Sequence, residues 1–185
     1  MAMKRFPLEQ YASLELNQVA FPKTGMVVSQ TPLGAEFTAA APCETGMWVL
    51  ADKSKGTIGS AAAVTDTPIG IVYTAEKEYD MYHYGLKTFG RKVEGDYPRV
   101  GILGLGDTVT TNCLQYNDSE YATESALFSA LEAYETTPVY VKLVAGSPVP
   151  QLTATKPGSG IYGKVTKFYT VPNGEKGVKY EIVSL

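Results

Sequence analysis

The sequence predicts a mainly β protein: a β-sandwich or β-barrel-like domain with an extended N-terminal arm and one inserted surface helix over about residues 119–134. Three observations predict it. Charged residues are 19% of the 185, below the rough quarter usual in soluble domains. The chain carries 18 Gly, 11 Pro and 13 Tyr, which favours turns and aromatic strands over helical bundles. Its apolar runs are strand-length and end at Gly, Pro or Asp.

Residues 1–24 read as the arm, with Pro7 and Pro22 bracketing the alternating piece Leu14-Glu15-Leu16-Asn17-Gln18-Val19. From Gly25 onward short strands are expected at Met26–Val28, Glu36–Ala40, Gly46–Ala51 and Thr67–Thr74, with Asp52–Gly56 as a polar turn. Residues 76–99 carry charges and tyrosines without apolar periodicity, which suits a long excursion from the sheet. Strand structure resumes from Arg99 to about Cys113. The helix is expected from Ser119 to about Tyr134, capped by Asp118 or Ser119, with Leu127, Ala130, Leu131 and Tyr134 on one face. Strands are then expected at Pro138–Val144 and Gln151–Thr155, separated by the proline-rich turn Gly146–Pro150. A last hairpin, Ile161–Val171 and Gly177–Val183, turns at Asn173-Gly174. Residues 25–185 are expected to form one β domain, or alternatively two β units of about 25–115 and 136–185 joined by the helix.

A net charge of −3 argues against a surface that neutralises phosphates, so neither nucleic acid nor an anionic membrane is expected as a partner. Cys43 and Cys113 are far apart in sequence, and with one histidine they cannot supply a four-ligand zinc site. They read as buried free thiols, although one disulfide stays open. No metal or cofactor is expected. The basic start Met1–Pro7 is not followed by the apolar run of a signal peptide, and no stretch approaches the roughly 18 apolar residues of a membrane span.

Motifs that tempt a catalytic reading do not hold up. Gly158-Ser159-Gly160-Ile161-Tyr162-Gly163-Lys164 has phosphate-loop spacing, but Val165 stands where Ser or Thr must hold magnesium. Residues 165–171 are β-branched and aromatic, whereas a phosphate loop must open a helix. Gly101, Gly104 and Gly106 reverse the dinucleotide-binding spacing. His83 is the sole histidine and has no nucleophile elbow to serve. The 19 acidic residues single out no catalytic pair. No catalytic residue is therefore expected, and the chain does not read as an enzyme.

A contact role is better supported. Tyr79, Tyr82, Tyr84, Phe89 and Tyr97 cluster beside Arg91 in the excursion, the composition of an interface loop or of a platform for sugars. Together with Leu14, Leu16 and Val19 of the arm they are the candidate interface residues.

The stretch Gly46-Met47-Trp48-Val49-Leu50-Ala51-Asp52, followed after a gap by Asp66-Thr67-Pro68-Ile69-Gly70-Ile71-Val72 and preceded by Ala39-Ala40-Ala41-Pro42, resembles the head-decoration (capsid cement) proteins of tailed bacteriophages. The resemblance covers about residues 25–75; the later loop, helix and hairpins have no counterpart in the pattern. It implies a virion structural protein on the capsid surface, made in the host cytoplasm, whose partners are the major capsid protein and neighbouring copies of itself. A carbohydrate- or receptor-binding β module on a fibre or cell surface is the alternative expectation.

Overall fold

The computed structural model describes residues 2–7, 12, 14, 24–73, 92–170 and 174–185. It is mainly β, with two sheets and, among the described residues, one α-helix. The strands are β1 (Met3–Arg5), β2 (Val27–Val28), β3 (Trp48–Leu50), β4 (Ile69–Val72), β5 (Val100–Ile102), β6 (Thr108–Thr111), β7 (Gln115–Asn117), β8 (Tyr140–Val144), β9 (Ser147–Thr153), β10 (Tyr162–Thr170) and β11 (Lys176–Ser184). The helix α1 spans Glu124–Glu132. One sheet has the order β1-β7-β9-β8-β10-β11-β6 and the other β2-β5-β4-β3. The arrangement is sandwich-like and neither sheet closes into a barrel. Strands β6 and β7, which precede α1, share the larger sheet with β8 to β11, which come after it.

The core explains why these segments are strands. On β11, Val178, Tyr180 and Ile182 are buried while Lys179, Glu181 and Val183 are not, the two-residue period of a strand with one covered face. Those three residues join Trp48 and Leu50 of β3, Ile69 and Ile71 of β4, and Leu127 and Leu131 of α1 in the larger apolar cluster. A second cluster gathers Val28, Leu33, Phe37, Cys43, Met47, Val49 and Cys113 around the smaller sheet. The strand containing Trp48 and the strand containing Ile71 pair antiparallel, Trp48 opposite Ile71 and Leu50 opposite Ile69.

Several local expectations are corrected. Residues 36–40 are not a strand: Thr38 and Ala41 exchange backbone hydrogen bonds of 3.1 Å, closing a loop in which Phe37 alone is buried. The helix starts at Glu124, because Thr123 Oγ1 accepts the Ala126 N–H at 3.1 Å while Asn117 Oδ1 accepts from Ser119 and Asp118 from the Ala2 amide. Ser119 and Asp118 are thus spent on a turn and on the start of the chain. The proline-rich segment is not a turn. Ala145 and Gly146 make the turn, with Gly146 at φ 74°, and Pro148 and Pro150 lie inside β9. They fall where the β8 pairing shifts register between Lys142 and Val144, so the amide each proline lacks is not missed by a regular ladder.

Candidate interaction surface

The start of the chain is built into the body. Met3–Arg5 pair antiparallel with Gln115–Asn117 at one edge of the larger sheet, and Phe6, 1% exposed, enters the core beside Phe128. Arg5 reaches Glu44 in an ion pair of 2.8 Å that ties this edge to the loop before β3. Leu14 forms an isolated antiparallel bridge with Thr111 and packs against the larger core. Of the expected interface residues, Leu14 therefore faces inward and Tyr97 is 62% exposed. Leu16, Val19, Tyr79, Tyr82, Tyr84, Phe89 and Arg91 lie outside the described residues, as does His83.

Sheet edges decide where a β body can accept a partner, because an edge strand carries unpaired amides and carbonyls. Among the described residues the four edges are treated differently. Strand β6 is met at Thr111 by Leu14. Strand β3 is met at Leu50 by Gly59, with the Leu50 amide donating at 2.7 Å. Strand β1 is open but charged, since Lys4 and Arg5 make up most of it. Strand β2 is open and apolar: Met26 is 52% exposed and Val27 43%. Its register against β5 sets Val27 opposite Gly101 and Val28 opposite Val100. The Thr24 hydroxyl donates to the Ile102 carbonyl at 2.7 Å and the Ile102 amide to the Met26 carbonyl at 3.0 Å, so the segment leading into β2 is bonded to β5 on its inner side.

Tyr97 stands three residues before β5, and Arg99 beside it is also exposed. The Leu33 amide donates to the Asp96 carbonyl at 2.9 Å and the Tyr73 amide to the Arg99 carbonyl at 2.8 Å, which fix the two flanks of this segment to the body. An apolar edge with an aromatic and a cation beside it is the composition of a protein contact. Sequence reasoning missed β2 as an edge, since two valines after a glycine and a methionine do not reveal which neighbour will be absent.

The motifs weighed for catalysis land in strands and turns. Gly163, Lys164 and Val165 lie within β10 rather than at a helix start, and Gly101 lies within β5. Among the described residues no group of three or more His, Cys, Asp or Glu side chains is placed to hold a metal ion, and no helix is long and apolar enough to cross a membrane. Cys43 and Cys113 are free and buried in the smaller cluster. Burial pushes the Cys113 thiol up to about 12, against the pull of the nearby Arg5 charge, and pushes Cys43 up further with help from Cys113 and Glu44. Neither is a ready nucleophile. Compared with protein-family models, curated proteins and solved structures, the chain matches none.

Proposed function

We propose that this chain is a structural subunit that binds the outer surface of a phage capsid and stabilises it, with the major capsid protein as its partner. The single observation that carries the reading is β2, an apolar edge strand, open among the described residues and flanked by the exposed Tyr97. Such an edge pairs with an extended segment of a neighbouring subunit: backbone bonds supply affinity, and Met26, Val27 and Tyr97 supply the apolar contact. Each contact is small, and a lattice of many copies turns small contacts into firm retention. The resemblance of residues 46–52 and 66–72 to cement proteins, which fall on the paired strands β3 and β4, supports the same reading.

The test is co-sedimentation with undecorated phage heads, comparing the full chain with Val27→Glu and Tyr97→Ala. Saturation at a fixed ratio to the major capsid protein, weakened by both substitutions, is the expected result. Failure of the unaltered chain to sediment with heads overturns the reading, and saturable glycan binding lost on Tyr97→Ala would replace it.

A further inference from the structure

The hairpin of β10 and β11 has two unlike faces. Phe168 points inward, its ring 5.3 Å from that of Phe128 on α1, and it pairs with the buried Val178. The residues on either side of it, Lys167 and Tyr169, point to the opposite face. The register sets Lys167 directly opposite Lys179 on that outer face. Like charges directly opposite across a ladder are destabilising. The Lys167 ammonium lies 5.2 Å from the centre of the Tyr169 ring, which offsets part of this and leaves both charges in place. Two further lysines share the face. Lys164 stands opposite Glu181 and Tyr140, and Lys142 stands opposite Tyr162. Four lysines, Lys164 and Lys167 exposed and Lys142 and Lys179 half-buried, thus stand with Glu181 on a cationic face of a chain whose net charge is −3. Among the described residues no carboxylate closes an ion pair on Lys142, Lys164, Lys167 or Lys179.

The opposite side of the molecule carries the complement. Glu124 and Glu132 are exposed on α1 and line, with Ser125, Phe128 and Ser129, a depression of about 510 Å³. They are eight residues apart, a rise of about 12 Å along a helix. Lys164 and Lys167 flank a register shift and face Glu181 and Lys179, two residues apart on β11, which sets them about 7 Å apart along the strand. The carboxylates are the wider pair, and the long lysine side chains span the difference, an apolar stem lying over the Phe128 ring while its ammonium meets a carboxylate.

We propose that the outer face of β8, β10 and β11 docks onto the glutamate face of α1 of a second copy of this chain. Because the two faces lie on opposite sides of one protomer, the contact is head-to-tail and propagates from copy to copy, closing into a ring or extending as a row. The inference deepens the decoration reading and rests on it for its setting, a shell that holds copies side by side. A nucleic acid fits less well, since Glu181 stands among the lysines of this face and the chain as a whole repels polyanions.

Sedimentation velocity on the purified full chain tests it, at about 20 mM and about 500 mM salt, where screening lengths differ several-fold. Concentration-dependent species heavier than 19.9 kDa are expected at low salt and their loss at high salt. Lys167→Glu with Lys179→Glu, and separately Glu124→Lys with Glu132→Lys, each weaken association about tenfold or more. Mixing the two variants sets an acidic protomer against a basic one at both junctions and restores association, the two variants alternating, while each alone stays weakened. Lys164→Glu alone gives a smaller loss in the same direction and serves where a double variant does not fold. A chain that stays monomeric at low salt, or association indifferent to either reversal, overturns the proposal. So does binding to a short DNA duplex that the lysine reversal abolishes while self-association is absent. Failure of shell binding with association intact would remove the decoration reading and leave this contact standing.

Discussion

The Trp48 indole N–H donates to the Tyr180 hydroxyl at 3.0 Å, fully buried, with the two rings 5.9 Å apart and edge-on. Trp48 belongs to the smaller sheet and Tyr180 to the larger, so this pair is a polar contact between the layers. Tyr180→Phe strands the indole N–H in an apolar core at a cost of about 1–3 kcal/mol. Because Trp48 is the sole tryptophan, its fluorescence reports urea unfolding directly. The midpoint should fall with an unchanged slope. A midpoint unchanged from the parent chain would mean that the bond does not contribute.

Phe6 carries the start of the chain into the core. Phe6→Ala removes a ring packed against Phe128 and is expected to cost about 3–5 kcal/mol, as for other buried aromatics. Deleting residues 1–7 would do at least as much by also freeing the β7 edge. A truncated chain that fails to bind a shell would therefore report lost stability, and thermal melts should show this before any binding is measured. A melt unchanged by Phe6→Ala would show that the chain start is not part of the body.

Gly46 sits at φ 94°, and a Cβ there would meet Cys113 Cβ at 2.6 Å and Thr111 Oγ1 at 2.7 Å. Gly56 is also left-handed, at φ 71°, but has open space around it. Gly46→Ala should therefore cost about 2–4 kcal/mol, the left-handed backbone and the overpacking together, and Gly56→Ala about 1 kcal/mol. Equal urea midpoints for the two variants would show that the Cys113 side of the core yields freely.

The β class was legible because patterns such as Val178-Lys179-Tyr180-Glu181-Ile182 alternate with a period that only a strand satisfies. The helix was legible at its buried residues, Leu127 and Leu131, and not at its start. Asp118, Ser119 and Thr123 are all competent caps, and tertiary partners decide among them: the Ala2 amide claims Asp118. Thr123→Ala should accordingly lower stability by about 1 kcal/mol and Ser119→Ala by less than about 0.5, read from thermal melts. An equal loss from both would place the helix start upstream. The prolines of β9 read as a turn because a shifted register cannot be seen from one strand alone. The site was least legible. Which edge stays uncovered, and that Lys167 meets Lys179, are properties of pairing between distant segments.

Alkaline pH gives the sharpest reading of the buried thiol and phenol groups. Burial raises the Cys113 thiol from 9.0 to about 12, and burial with the Glu120 charge raises the Tyr121 phenol from 10.0 to about 12. Below about pH 9 both groups are neutral in folded and unfolded chains alike, and their contribution to stability is complete. From about pH 9 for Cys113 and about pH 10 for Tyr121, up to about pH 12, the unfolded chain loses the proton and the folded chain keeps it, so stability falls as pH rises, by up to about 1.4 kcal/mol per pH unit for the thiol and less for the phenol. Cys113→Ala shifts the whole curve down through the cavity it leaves, yet it should flatten the alkaline limb by one group's share. Urea midpoints at intervals from about pH 7 to 11 separate the two effects. In the native chain at about pH 8 a disulfide reagent should find neither Cys43 nor Cys113, and both should react at once on unfolding, because only opened molecules expose a thiolate. Fast native labelling, or an alkaline limb as steep in the variant as in the parent, would contradict a closed core around these thiols.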